Sequence, residues 1–248
     1  MINYSNSVII SPAGYWLKMD PYNPLNLPAN TIRVKYKAGT SPIRGDIKTL
    51  VDAENNIWDI YTESNSWAGL LSYNVVPVVG PLEILGANSS NITDMHDLCS
   101  YCSNLTKVAL FDTSKVTNMS DMFDNCPLLT SIPLFDTSSV TTMYGMLWNC
   151  TALTSVPLFD TSNVTYMNGI LQNCTSLTSI PLFNTSKLYD MTGAFSGCIN
   201  IESGALALYQ QVSTQATVPI YHSRAFKDCG SNTVTGAAEL AQIPSDWK

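Results

Sequence analysis

Charged side chains are scarce in this sequence. Asp, Glu, Lys and Arg make up 12% of its 248 residues, about half the usual share, so serine, threonine, asparagine and small apolar groups must form most of the surface. Positive charge is the scarcer sign: 12 Lys and Arg stand against 19 Asp and Glu, a net charge of -7. Phosphate backbones and anionic lipids attract the opposite sign, which argues against nucleic acid as a partner. Long apolar runs are missing as well. None approaches the roughly 20 residues of a transmembrane helix, so no membrane insertion is expected. Residues 1–10 show neither a basic n-region nor the apolar stretch of an export signal. The expectation is either a trimmed signal or a protein that reaches a surface by assembly, as a virion component would. Histidine is down to His96 and His222. Neither has a nucleophile and an orienting acid at a recognisable spacing, so no enzyme and no cofactor are expected.

What the sequence has in abundance is repetition. Cys102, Cys126, Cys150, Cys174 and Cys198 occupy every twenty-fourth position without a slip. Phe111, Phe135, Phe159 and Phe183 keep the same step, as do Met95, Met119, Met143, Met167 and Met191, and Leu105, Leu129, Leu153, Leu177 and Ile201. A period of 24 lies within the window of leucine-rich repeats. Within one unit, Leu129, Ile132 and Leu134 give an L-x-x-L-x-L signature, read as a strand. Val140, Met143, Met146 and Leu147 then make a helix-like stripe behind an Asp-Thr-Ser turn that can cap it. The expected fold is a leucine-rich-repeat solenoid of 24-residue repeats, with a parallel sheet on one wall and short helices or 3₁₀ turns on the other. It is expected over residues 81–235, with a degenerate first coil at 84–102 and an insertion of about seven residues in 208–219. Residues 236–248 are expected to form a capping helix, 237–242, and a tail after Pro244.

The run Met122-Phe123-Asp124-Asn125-Cys126, followed by Leu129, Ile132 and Leu134, resembles the F-x-x-C-x-x-L-x-x-I-x-I unit of BspA-like leucine-rich-repeat surface proteins. The Phe-Asp-Thr-Ser-x-Val-Thr-x-Met segment is similar to a common version of it, and the resemblance covers roughly residues 82–235. It implies bacterial surface adhesion and recognition of proteins or matrix, extends to phage-encoded proteins, and implies no catalytic residues.

Residues 1–80 lack the period and carry as many acidic as basic residues, whereas 81–248 holds the whole excess of negative charge. They are expected to form a small β-rich module. A strand is predicted at 31–37, a hairpin of 47–51 with 57–61 around residues 52–56, and a further strand at 75–79. Three prolines make 20–30 an irregular loop. This module either caps the stack or docks it to other virion proteins. Trp16, Trp58 and Trp67 are read as its core.

The cysteine column is read as structural: equivalent side chains in neighbouring coils point the same way, which disfavours disulfides. Cys99 and Cys102 imitate a C-x-x-C motif, but no second one exists to complete a zinc site. Asp112, Asp136, Asp160 and Asn184 form a column better suited to turn hydrogen bonds than to calcium. His222 falls in the methionine column and is read as structural. The strand wall presents nearly identical Thr, Ser and Pro from coil to coil, so variation on the other wall draws attention. There Tyr144 and Trp148 lie four residues apart, with Tyr166 one coil on, and they are the candidate partner-binding residues. The sequence thus points to a non-enzymatic binding or assembly protein on a virion surface (capsid decoration, fibre or tail part), recognising a protein or surface glycan. A bacterial cell-surface adhesin is the alternative. A carbohydrate-acting enzyme would need clustered carboxylates on an open face.

Overall fold

The computed structural model of the chain describes residues 8–10, 16–18, 22–37, 42, 45–72, 81–215, 219 and 221–248. Strands β1 (Val8–Ile10) and β2 (Trp16–Lys18) pair antiparallel. The main sheet is built from β3 (Thr31–Lys35), β4 (Ile47–Asp52), β5 (Ile57–Tyr61), β6 (Glu83–Asn88) and β7 (Lys107–Val108), in the order β4-β5-β3-β6-β7. The expected hairpin forms, with Asn56 in the left-handed region and Asp52 accepting the Asn55 amide at 3.1 Å to fold its turn. The strand expected at 75–79 lies outside the described residues. Across β3 and β5, Arg33 grips Asp59 with two bonds of 2.6 and 2.7 Å. That fork-to-fork geometry lowers the cost of setting two charges in a sheet face.

Every pairing in this sheet is antiparallel except the last. β6 and β7 run parallel over two residues, and they lie one repeat apart: Glu83 faces Lys107 and Ile84 faces Val108. Here the amide of Ala109 donates to the Ile84 carbonyl at 2.9 Å. One and two steps later the same place holds Pro133 and Pro157, which have no amide hydrogen to give. The ladder therefore stops. The Leu129-to-Leu134 segment and its equivalents at 153–158 and 177–182 carry no strand.

The other wall departs from expectation for a second reason. Asp121 and Asn125, Gly145 and Asn149, and Gly169 and Asn173 all adopt positive φ. A left-handed residue every fourth position breaks a helix into successive tight turns. Amides that would bond four residues back in a helix instead alternate: Met143, Gly145, Leu147 and Asn149 donate to the next loop, while Met146, Trp148 and Cys150 close three-residue turns.

The expectation of a leucine-rich-repeat solenoid, with a parallel sheet facing a helical wall, is thus corrected. Among the described residues the main sheet has five strands, is mostly antiparallel and lies within 31–108, and two α-helices lie at the other end. Between them the chain runs in repeated loops, joined by single parallel bridges from Asp94 through Asn118, Thr142 and Tyr166 to Asp190. This pattern starts before the expected first coil. Trp67, Gly69 and Leu71 donate to the carbonyls of Asp94, His96 and Leu98 at 2.8–2.9 Å.

A single apolar cluster runs from Ile32 to Trp247 and holds the Met, Cys and Phe columns. All seven cysteines are buried and unbridged. Five of them donate to a carbonyl of the preceding loop: Cys102 to Leu71, Cys126 to Cys99, Cys150 to Phe123, Cys174 to Leu147 and Cys198 to Leu171, at 3.0–3.2 Å. Burial pushes the Cys150 and Cys198 thiols up to about 12, so they remain protonated donors rather than nucleophiles. One residue departs from its assigned place. Leu134, which an alternating strand would turn inward with Ile132, is 60% exposed, and its equivalents Leu158 and Leu182 are 62% and 54% exposed.

Helix α1 (Ala205–Ser213) begins before the 208–219 stretch and runs through its first half, and α2 (Val234–Gln242) begins three residues before the expected 237. Thr233 caps α2 by accepting the Gly236 amide at 2.9 Å. Pro244 then starts a 3₁₀ turn, Ser245–Trp247, whose tryptophan is buried. His222 stacks flat on that ring at a centroid distance of 4.0 Å.

Candidate interaction face

The turns that replace the expected helices place one short segment of every loop on a common outer face. Three devices hold it. Thr117, Thr141 and Thr165 each donate both the backbone amide and the hydroxyl to the threonine carbonyl 24 residues earlier, the amides at 2.8–2.9 Å and the hydroxyls at 3.0–3.2 Å. Asn149 and Asn173 each donate a side-chain amide to the asparagine one loop before, at 3.0 and 2.9 Å. Gly197 continues that column because a Cβ there would run into the Asn173 Oδ1. On the loop edge, Asp112, Asp136, Asp160 and Asn184 each accept the amide two residues on, at 2.9–3.0 Å, which is turn chemistry. Thr113, Thr137 and Thr161, buried beside them, donate to the next loop at 2.8 Å.

The face varies along its length. Its first part is acidic. Asp94 holds the His96 ring nitrogen with both oxygens at 3.0 Å. Half-burial, then the charges of Asp124 and Asp97, push the Asp121 carboxyl up to about 7. Burial also raises Asp124. Asp121 packs so closely on the next loop that Gly145 leaves no room for a Cβ against its Oδ1. Sequence reasoning did not assemble these carboxylates into a group. The signal was the regular repeat step linking Asp97 to Asp121.

The middle part holds two of the three predicted aromatics, and they differ from each other. Tyr144 is exposed, whereas Trp148 lies over its own loop and the next, with Cε3 within 3.7 and 3.9 Å of where Cβ atoms would sit on Gly145 and Gly169. Its Nε1 is buried without a hydrogen-bond partner. Tyr166 joins neither. It meets Tyr189 edge to face at 5.8 Å, and Tyr189 meets Tyr221 at 5.3 Å. The Tyr189 phenol is pushed up first by its hydrogen bond with Tyr221. All three rings are exposed. Tyr189 escaped notice because it replaces a threonine. Tyr221 did so because the inserted stretch makes its step longer than the others, although it bridges Asp190 as its neighbours do.

Among the described residues, no group of three or more His, Cys, Asp or Glu side chains is placed to hold a metal ion, and no helix is long and apolar enough to cross a membrane. A shallow hollow of about 230 Å³ lies instead on the main sheet, lined by Pro28, Thr31, Ile47, Thr49, Asp59 and Tyr61. Its carboxylate, Asp59, is already engaged by Arg33.

Residues 90–208 match the family described as Mycoplasma protein of unknown function, DUF285. The chain is similar to that family over this segment. The matched stretch, just under half of the chain, takes in the acidic group, Tyr144, Trp148, Tyr166 and Tyr189, and ends before Tyr221. No curated protein and no solved structure matches the chain.

Proposed function

We propose that the chain is a non-enzymatic, surface-displayed binding or assembly protein, and that it meets a protein partner through the row Tyr166, Tyr189 and Tyr221. The supporting observation is the row itself: three exposed tyrosines in mutual edge-to-face contact, on a face whose equivalent positions elsewhere are Thr, Asn and Asp. Tyrosine supplies a large, stiff, amphipathic contact area at low entropic cost. Edge-to-face contacts hold the rings in place before a partner arrives, so less ordering remains for the complex. The likeness of the repeat to bacterial surface proteins agrees with this reading, and a virion part or a cell-surface adhesin would use the same face.

The test is binding of the labelled full chain to intact cells and to purified virions, compared with the variant Tyr166→Ser, Tyr189→Ser, Tyr221→Ser. All three sites are exposed, so the fold should persist, checked by an unchanged melting temperature. Binding should fall at least about tenfold, and prior protease treatment of the target should abolish it. Equal binding by the variant would refute the reading. Sensitivity to glycosidase with resistance to protease would make the partner a glycan.

A further inference from the structure

We infer that the hollow on the main sheet is a binding site for one neutral sugar ring of a glycan. Two cross-strand rows make its floor. Tyr61 stands between Thr31 on β3 and Ile47 on β4, and Asp59 stands between Arg33 on β3 and Thr49 on β4. Alternation along the strands sets both rows on one face, opposite the buried Ile32, Val34 and Ile60. Pro28 closes the hollow from the side. That wall is pinned by its neighbour Leu27, whose side chain is buried. Asn23 accepts the Leu27 amide at 2.8 Å and donates to the Leu27 carbonyl at 3.0 Å, and Asn88 donates to the same carbonyl at 2.8 Å. The hollow is thus shaped before a ligand arrives, which lowers the ordering cost of binding.

Size and lining select the ligand. At about 230 Å³ the hollow falls below the roughly 300–1,000 Å³ of pockets that enclose drug-sized molecules, so it seats one ring and leaves the rest of a chain outside. Pro28, Ile47 and the Tyr61 ring supply apolar wall. The Thr49 hydroxyl and the Tyr61 phenol have no hydrogen-bond partner among the described residues. A mostly apolar concavity with a few convergent polar groups is the usual form of a small-molecule site.

Asp59 decides the charge. The Arg33 guanidinium holds it with both bonds of a fork, so the pair is neutral as a whole. A cationic ligand finds the carboxylate already matched, and an anionic one meets a carboxylate on a chain of net charge -7. Each carboxylate oxygen still has a lone pair that accepts from a hydroxyl. A ring with hydroxyls on one side and C–H groups on the other, as a pyranose has, satisfies both halves of the lining. A wholly apolar group would strip water from Asp59 and Thr49 without replacing its hydrogen bonds. The tyrosine row lies on later loops, so its reading can fail without touching this one.

The experiment is an NMR titration of the full chain, labelled at Ile and Thr methyls, with D-glucose, D-galactose, D-mannose and N-acetyl-D-glucosamine as separate probes. At least one sugar should shift the Ile47 and Thr49 methyls with a millimolar Kd and leave those of Thr141 and Thr165 unmoved. Thr49→Trp fills the hollow from an exposed position and should abolish the shifts at an unchanged melting temperature. Asp59→Asn should weaken binding about tenfold, as a charged acceptor is lost. The triple tyrosine variant should bind sugar as the native chain does. Glucuronate and glucosamine should bind no tighter than glucose. Shifts absent with every sugar, shifts that persist in Thr49→Trp, unchanged affinity in Asp59→Asn, or tighter binding of either charged sugar would each overturn the inference. Shifts with free proline or tyrosine but with no sugar would overturn it as well, making the hollow a protein contact.

Discussion

β6 and β7 lie one repeat apart and pair as parallel strands, whereas segments 131–132 and 155–156, at the next two steps, form no strand. The spacing and the buried columns are the same in both regions. They differ in one backbone hydrogen, present at Ala109 and missing at Pro133 and Pro157. Stacking of loops therefore does not depend on a sheet. Where the amide is lost, buried Thr hydroxyls, Cys thiols and the bridges of the turn wall hold neighbouring loops together. One isolated parallel bridge returns at the far end, Ser179 with Ser203, after which Ala205 stands where the three prolines stood.

The two regions can be pulled apart by substitutions of graded severity. The severest is Phe135→Ala. This ring is buried between Phe111, at 5.0 Å, and Phe123, at 6.5 Å. Its loss should cost about 3–5 kcal/mol by chemical denaturation, and a cost below about 1 kcal/mol would mean the loops are not sharing a packed core. Next comes Gly204→Ala, at φ 99, where a Cβ would overlap the Ile180 carbonyl. A loss of about 2–3 kcal/mol is expected, against roughly 1–2 kcal/mol for Gly169→Ala, which has positive φ but no backbone in the way.

A smaller effect is confined to pH. Asp121 has its carboxyl raised to about 7 in the folded chain. The folded state therefore binds more protons than the unfolded one between about pH 4 and 7, and stability falls as pH rises through that window. Asp121→Asn should reduce the slope, the raised Asp124 keeping part of it, and so raise the melting temperature at pH 8 and leave it unchanged near pH 4. Asparagine suits the left-handed backbone there. A parallel shift at all pH values would contradict this account. The mildest change is Pro133→Ala, worth only tenths of a kcal/mol. It should create a slowly exchanging amide at 133, bonded to the Val108 carbonyl as Ala109 is to Ile84. Rapid exchange there would show that proline is not what ends the ladder.

Much of this was legible in the sequence, and the failures have physical causes. The Met, Cys and Phe columns and the 47–61 hairpin could be read directly, since burial once per repeat and alternation around a polar turn each have a single explanation. The turn wall was misread because chains of three-residue turns bury side chains at nearly helical spacing. Only Asp121 with Asn125, or Gly145 with Asn149, betrays the left-handed positions. Leu134 was misread because an L-x-x-L-x-L pattern places its last leucine inward only if the segment is a strand, and Pro133 prevents that. Trp67 to Leu71, the first turn of the stack, carries none of the column residues that made the others visible. At the site, Tyr144 and Tyr166 were singled out by exposure on a variable wall. Tyr189 stands in a threonine column, and Tyr221 required knowing which residues bridge.

The bond from the Thr141 amide to the Thr117 carbonyl is chemically the same as the one from Thr165 to Thr141, and this has an evolutionary consequence. Excising one complete loop rejoins an amide to an equivalent acceptor, and duplicating one does the reverse. The molecule can therefore shorten or lengthen only in whole increments, like a chain of identical links, and each added link brings one more blank position on the turn wall for a new side chain to occupy.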